Sequence, residues 1–404
     1  MRRALFAGLL AAVLLPSCAT LPTPPALSPP PEIAAEEEDR ILLTRVRAYE
    51  DPALTGYLGK LVERLLSEEE RAGSAPEIVV VRDPTINAFA MPPGRIYVHT
   101  GLLSRIDNEA QLATIVAREV THLRRRPSVA LADAHARIAE ALHPIALGIA
   151  APTPFAEEGS AVLSPMAGAI LGARLPRAYT ASMTGSGRES EAVADAGAME
   201  RLVRAGYDPS EAPKVFERLR KEARVGGVIE RFFLGSAAGL EERVEVMTRL
   251  AGGASGFTAA VRDSVKAGDD FGKPMMTVTR ENASLELRAG RFRAAQAQLD
   301  HVLAAAPDDA MAYLYVGDLH RLRGQRARSV ADRDELGRKA LAAYERCAAL
   351  GPDIAEVPRR LGLLYYQLRQ IDRAHEAFTR YLTLSPNAPD AARVREYLME
   401  GSGR

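Results

Sequence analysis

The sequence is poor in the residues that many proteins use for cross-links and aromatic contacts. Its 404 residues contain no tryptophan, two cysteines and 5% aromatic residues. The low cysteine count excludes a disulfide-stapled domain, so stability must come from packed cores. The 52 basic and 52 acidic residues balance, which excludes a globally basic protein and gives no reason to expect nucleic acid as a partner. Frequent Ala, Leu and Arg favour a mostly helical chain.

The N-terminus has the pattern of a bacterial export signal. Two arginines precede an apolar run over residues 4–14, which is too short to span a bilayer. The following Leu15-Pro-Ser-Cys18 resembles a lipobox, although Pro16 departs from the commonest form. The resemblance implies cleavage before Cys18 and a lipid anchor on it, and Ala19 in place of Asp implies delivery to the outer membrane. A plain signal peptide with an incidental cysteine is the alternative.

Composition divides the chain into four segments. Residues 1–18 are the expected signal peptide and lipobox, and residues 19–36 are a proline-rich tether. In residues 37–255, short β-branched runs at 77–82, 86–91 and 95–99 predict strands. A helix is predicted from Asp107 to Arg126, where Pro127 stops it. Two helices are expected within 128–180 and others over 187–205 and 210–250.

The last part of the chain, residues 275–400, carries a repeat. Pro307, Pro352 and Pro386 each close a two-helix unit, and the last unit has Gly362 and Phe378 at tetratricopeptide offsets. The middle unit is 11 residues longer, judged by the spacing of its closing prolines. The pattern resembles three tetratricopeptide repeats with a closing helix near 391–399. The predicted fold class is therefore α+β and mostly α, with an all-α solenoid after the first domain.

Residues 117–122 read AREVTH. A zinc-peptidase helix needs two histidines four residues apart, because that spacing places both imidazoles on one face. A glutamate after the first histidine can deprotonate a metal-bound water. Here Glu119 and His122 occupy the positions of the base and of the second ligand, while Arg118 occupies that of the first ligand.

The surrounding residues identify the type of helix. The runs NAFAMPPGRIYVHTGLL at 87–103 and DNEAQLATIVA at 107–117, with RESEAVAD at 188–195, resemble the membrane-associated zinc metallopeptidases of clan MA. These include the HtpX, CAAX prenyl endopeptidase and barrel-assembly-enhancing types. The resemblance implies a zincin-like domain with a small sheet, His122 and Glu191 as zinc ligands and Glu119 as catalytic base. It also implies that Asp195 is a catalytic-site residue that supports these groups without binding the metal.

Two departures from this family pattern weaken the prediction of zinc chemistry. Arg118 is a permanent cation with no lone pair for a metal, and Ala237-Ala238 stands where the family often has His-Pro. We therefore expect zinc to be weakly bound or absent. Arg118 is predicted to bridge Glu191 or Asp195 and neutralise the cleft without an ion. A side chain turned to solvent, or a replacement ligand from His99, His135 or His143, is the alternative.

Binding of a polypeptide does not require zinc. Ile96, Tyr97, Val98 and His99 are predicted to form the edge strand that pairs with an extended substrate chain, with a purely structural hairpin as the alternative. The triplet 124–126 is a solvated face or a contact for anionic lipid.

The sequence therefore predicts a lipid-anchored metallopeptidase-family protein of the bacterial envelope. We expect it at the outer membrane, facing the periplasm, in protein quality control, with impaired catalysis. The alternative is a non-enzymatic chaperone or adaptor. In either case the expected partners are unfolded or outer-membrane polypeptides in the cleft, a protein in the repeat groove and the membrane through Cys18.

Overall fold

A computed structural model of the chain describes residues 35–91, 94–124, 188–225, 237–254 and 271–401. The predicted leader, tether and lipidation site at Cys18, and the predicted helices within 128–180, lie outside these ranges. His135 and His143 lie outside them as well. None of the helices within the described ranges is long and apolar enough to span a membrane.

The described residues form a small sheet and many helices. The strands are β1 (Glu77–Val81), β2 (Ala88–Met91) and β3 (Arg95–His99). Up to residue 254 the helices are α1 (Ala35–Arg45), α2 (Pro52–Leu65), α3 (Glu68–Arg71), α4 (Thr100–Leu103), α5 (Glu109–Arg124), α6 (Arg188–Arg204), α7 (Glu211–Val225) and α8 (Ala237–Gly252). After residue 270 they are α9 (Gly272–Arg288), α10 (Phe292–Ala305), α11 (Ala310–Gln325), α12 (Val330–Leu350), α13 (Glu356–Gln367), α14 (Ile371–Leu384) and α15 (Ala391–Gly401). The predicted class, mostly helical with a small sheet, is confirmed.

The sheet has the order β1-β3-β2, with β1 parallel and β2 antiparallel to β3. Its alternating side chains separate two cores. Ile96 and Val98 face the main core with the helices, whereas Tyr97 packs with Phe89 and with Leu42 of α1 on the other face. The outer side of β1 is covered by the chain before α2, since the Tyr49 N–H donates to the Val80 carbonyl.

Helix α5 lies in the main core and is buried along most of its length. Its start differs slightly from the prediction. Asn108 rather than Asp107 caps it, because the Asn108 side-chain oxygen accepts from the Gln111 N–H at 3.0 Å. Such a side-chain acceptor satisfies a backbone donor that the first turn leaves unpaired. The cap fixes where α5 begins and so which of its side chains face the sheet.

The helices after residue 270 pair into three hairpins followed by α15. The repeat pattern has a direct steric reason here. A Cβ on Gly317 would lie 2.3 Å from the ring of Tyr344, and one on Gly362 would lie 2.5 Å from the ring of Phe378. In the middle and last hairpins, glycine therefore lets an aromatic ring from the second helix rest on the first. Cys347 is buried and free.

The first hairpin also packs on the sheet domain through buried polar contacts. The Thr100 hydroxyl contacts the Asn282 side chain at 2.9 Å, and Arg105 Nη2 donates to Glu286 at 2.9 Å. Because these groups are buried and mutually satisfied, they specify one way of packing α9 on α4.

Candidate active site

Helices α5 and α6 form the site by packing closely. A Cβ on Gly197 would lie 2.7 Å from the side chain of Thr121, so α6 can approach α5 only at a glycine. Arg201 fixes the other end of α6, because its two terminal nitrogens each donate to Glu70 at 2.6 Å. Gly206, with φ of 80°, then ends the helix as predicted. This packing brings Glu191 and Asp195 to Arg118.

Arg118 bridges the two acidic side chains of α6. Its Nε donates to Asp195 at 2.7 Å and its Nη2 donates to Glu191 at 2.5 Å. Arg118 is only 7% exposed, so the alternative of a side chain in solvent is wrong. The predicted ion pair is confirmed at both acids. A guanidinium that forks onto two carboxylates forms charge-assisted hydrogen bonds, which are stronger than neutral ones.

A second arginine, which the sequence analysis did not identify, completes the cluster. Arg243 of α8 donates to Glu191 through Nη2 and lies 3.6 Å from Asp195. The guanidinium groups of Arg118 and Arg243 lie 5.5 and 5.4 Å from the ring centre of Phe216. The regular helical pattern of 237–252 gave no signal that this arginine points inward. Two cations therefore oppose two carboxylates.

Glu119 lies beside this cluster but makes weaker contacts with it. Its nearest ionic neighbour is Arg118 Nη1, at 3.9 Å. Burial raises the pKa of Glu119 to about 7, against the opposing charge of Arg118 and a hydrogen bond from the Ala90 backbone. A carboxyl with this pKa is partly protonated near neutral pH.

The cleft favours the neutral form of His122 and the ionised form of Glu191, because it lowers the pKa of both groups. Burial lowers the pKa of His122 to about 4, and the Arg118 charge adds to this. Burial alone would raise the pKa of Glu191, but the charges of Arg118 and Arg243 outweigh it and lower this pKa to about 2. Around neutral pH, the site thus holds a neutral imidazole 3.7 Å from an ionised carboxylate.

These residues do not fit a zinc ion. Structural and catalytic zinc sites take at least three protein ligands, and the family position of the first one holds the Arg118 guanidinium. Glu191, a second family ligand, is already held by two arginines. Across the described ranges, no group of three or more His, Cys, Asp or Glu side chains is arranged to hold a metal. We therefore derive no chemical step through zinc.

The predicted substrate strand is wrong. Ile96, Tyr97, Val98 and His99 belong to β3, which lies in the middle of the sheet and pairs with β1 on one side and β2 on the other. Its backbone is therefore occupied over this stretch. The sequence shows which segments are strands but not their order in the sheet. The His99 side chain is buried against Thr85, with Nδ1 2.9 Å from the hydroxyl, and supplies no replacement ligand.

The free edge of the described sheet belongs to β2, on the side of the acidic and basic cluster. The His99 N–H donates to the Asn87 carbonyl at 3.0 Å, and backbone pairing alternates along antiparallel strands. The backbone groups of Ala88 and Ala90 therefore point away from β3. The backbone bond from Ala90 to Glu119 agrees with this direction.

Comparison with known proteins identifies this arrangement. The sequence model of peptidase family M48 matches residues 52–261, about half of the chain. The chain belongs to peptidase family M48. A tetratricopeptide-repeat model matches residues 327–399, which confirms the predicted combination of a peptidase-family domain with C-terminal repeats.

Individual relatives agree with the M48 assignment. The chain is 31% identical over 179 residues to the "Beta-barrel assembly-enhancing protease" of Escherichia coli K12, a match that covers 43% of this chain and 34% of that protein. It is 28% identical over 210 residues to "Mitochondrial metalloendopeptidase OMA1" of Saccharomyces cerevisiae, covering 50% of this chain and 51% of that protein. Both matches thus span well under two thirds of the relative's length.

Proposed function

We propose that this M48-family chain holds extended polypeptides and does not cleave them by zinc chemistry. The observation that supports this most strongly is the Arg118 bridge to Glu191 and Asp195. The bridge balances the buried carboxylates that a divalent cation would otherwise neutralise. His122 and Glu191 are then the remaining zinc-ligand positions, which are too few for a tight site.

Loss of the metal also removes the nucleophile. A bound zinc lowers the pKa of its water to about 7, which is what makes that water reactive. Glu119 retains the position of the base and Asp195 that of the residue supporting the site. Asp195 is engaged by Arg118, and a partly protonated Glu119 is a poor base for an unactivated water. The catalytic roles that the family assigns to these residues are therefore not expected here.

The free edge of β2 gives the polypeptide a place to bind. Ala88 directs an N–H and a carbonyl away from the sheet. Ala90 adds a carbonyl, since its N–H already donates to Glu119, and both side chains are methyl groups. An extended chain can add to such an edge through backbone hydrogen bonds with little dependence on its sequence. That property suits a protein that recognises many unfolded chains.

The cellular role follows from similarity to the relatives. We propose a role in quality control of outer-membrane proteins, by analogy with the beta-barrel assembly-enhancing protease. We further propose a lipid anchor at Cys18, a location at the outer membrane facing the periplasm, and a protein partner in the groove of the repeats. Residues 37–255 and 275–400 would be the two folded units.

An active zinc endopeptidase is the second candidate. The M48 match favours it, as does the retention of Glu119, His122 and Glu191 close together. It requires Arg118 and Arg243 to leave Glu191 so that a metal can enter. Breaking two buried, charge-assisted contacts makes this costly, and we rank it below the binding function.

Peptide binding can be tested at Ala88. The native chain should bind a carboxymethylated, unfolded protein and leave it intact over hours. Ala88→Pro removes the outward N–H and places a ring against the bound chain, so affinity should fall about tenfold, the value of one backbone hydrogen bond. Fluorescence anisotropy with a labelled unfolded chain gives the affinity.

The matched control is Ala88→Gly, which removes the methyl group but keeps the N–H, and which should bind within about twofold of the native chain. Circular dichroism establishes that both variants fold. Native affinity in a folded Ala88→Pro chain would exclude the β2 edge as the binding site.

A further inference from the structure

The two edges of the repeat solenoid carry opposite charge. We define the turn edge as the turns inside the three hairpins, residues 288–293, 323–328 and 366–373. The connection edge comprises residues 305–310, 350–356 and 384–390, which join one hairpin to the next. The turn edge has eight arginines and one aspartate, and the connection edge has five carboxylates and no basic residue. In a chain with zero net charge, this asymmetry is a local feature of the solenoid.

The turns of the turn edge form one continuous surface. The Arg326 guanidinium lies 4.7 Å from the ring centre of Phe292, in the turn of the preceding hairpin. A Cβ on Gly290 would lie 3.1 Å from the same guanidinium. On the other side, Leu368 lies 3.6 Å from the position of a Cβ on Gly337, the eighth residue of α12. The first two turns are therefore in contact, and the third packs against α12.

Most of this positive charge is not neutralised. Arg288, Arg293, Arg323 and Arg328 are exposed, and none of them forms an ion pair with a carboxylate of the described chain, whereas Arg291 pairs with Glu286. The connection edge differs, because arginines from the first helices of the hairpins compensate its acids. Asp309 accepts from Arg280 at 2.9 Å, and Asp390 pairs with Arg359. The turn edge is thus the strongly charged one.

The middle hairpin projects beyond its neighbours at this edge. Helix α12 begins ten residues before Ala340, whereas α10 begins three residues before the corresponding Ala295. The seven extra residues extend the helix by about 10 Å. At the tip, Val330 is 67% exposed, in the segment RSVADR that runs from Arg328 to Arg333. The 11-residue excess in this repeat therefore builds a projection with an apolar side chain at its end. Its loop carries Arg326 and Arg328, and the first turns of α12 add Arg333 together with the carboxylates of Asp332, Asp334 and Glu335. Counted with residues 329–335, the turn edge has nine arginines and four carboxylates, and so remains net positive.

We propose that the turn edge docks on a membrane surface bearing anionic phosphate headgroups. Arginine forms paired hydrogen bonds to phosphate oxygens, and each basic residue near an anionic leaflet contributes about 1 kcal/mol. The turns present these arginines on a projecting surface, not in a groove, which suits a lipid surface better than a peptide. Val330 reaches the interface, and the acidic connection edge faces away from the membrane. This orientation does not depend on the state of the zinc-ligand positions.

Vesicle co-sedimentation tests the proposal with the full chain. The measured quantity is the ratio of apparent affinities for phosphatidylcholine vesicles with and without phosphatidylglycerol, at low salt. Any apolar contribution from the leader or from lipid on Cys18 is common to both vesicle types and cancels. The native ratio should exceed about a hundredfold and fall as salt is raised. The triple variant Arg293→Gln, Arg323→Gln, Arg328→Gln should lower the ratio about a hundredfold, at about fivefold per arginine.

The control variant loses the same charge elsewhere on the repeats. Arg346, Arg380 and Arg395 are exposed residues of α12, α14 and α15 outside the turn edge. Their replacement by Gln should leave the ratio within about twofold, while circular dichroism shows that both triple variants fold. A native ratio near one, or equal losses in the two variants, would refute the proposal. Binding of soluble polyglutamate without vesicle binding would also refute it and would assign the edge to an acidic polypeptide.

Discussion

Replacing Arg118 by Leu should destabilise the protein by about 3–5 kcal/mol at neutral pH, as expected when one partner of a buried ion pair is removed. Leu fills much of the space but, among the described residues, leaves Arg243 as the cation that still contacts Glu191 and Asp195. Urea unfolding, followed by circular dichroism, measures the change in free energy of unfolding. The destabilisation by Arg118→Leu should be smaller at acid pH. Native Glu191 has a lowered pKa, about 2, so its contribution is complete above about 4.5 and is lost as the pH falls towards 2.

Arg346→Leu is the control for this prediction. Arg346 is an exposed arginine that also lies over an aromatic ring, with its guanidinium 5.8 Å from the centre of Tyr313. Its replacement should change stability by less than about 1 kcal/mol. If Arg118→Leu were as mild as this control, the guanidinium would not be what balances the buried carboxylates, and the account of the site would be wrong.

Replacing Glu119 by Gln should stabilise the protein above neutral pH by about 3 kcal/mol. The folded-state pKa of Glu119 is raised to about 7 from about 4.5, so folding opposes its ionisation. Below pH 4.5 both states are protonated and there is no penalty. The penalty grows between pH 4.5 and 7 and is constant above 7, at 1.36 kcal/mol per pKa unit. Gln carries no charge and avoids it.

Glu191→Gln, in the same cleft, should change the stability of the protein in the opposite direction. The pKa of Glu191 is lowered, so its ionised form stabilises the fold, and Gln there should destabilise the protein at pH 8. Urea titrations of both variants at pH 4.5 and pH 8 give the comparison. A Glu119→Gln chain that is less stable than the native chain at pH 8 would show that ionised Glu119 has a favourable partner in the fold.

The sequence predicted features that depend on local spacing. The helix around Arg118 and the second motif at Glu191 and Asp195 were placed correctly, because each is read along one helix face. Arg118 was predicted to pair with these acids from charge balance alone, since buried carboxylates need a counter-charge. The glycine and aromatic positions of the repeats followed from the same kind of local pattern.

Features that depend on how distant segments meet were predicted less well. The sequence predicted β3 as an edge strand, but it lies at the centre of the sheet. Strand propensity carries no information on which strands are neighbours in a sheet. Arg243 was missed because a charged residue on a helix is usually solvated, and only the packing of α8 against α6 and α7 makes it part of the site. Asn108 displaced Asp107 as the cap of α5, a difference of one residue between two side chains that favour the same role.

Metal analysis of the purified full chain tests the central claim most directly. The chain is exposed to zinc and exhaustively dialysed, then bound zinc is counted and casein cleavage is assayed, with Glu119→Gln as the catalytic control. The arginine bridge predicts far less than one zinc per chain and no cleavage above that of Glu119→Gln. One tightly held zinc per native chain, with cleavage that Glu119→Gln abolishes, would contradict it.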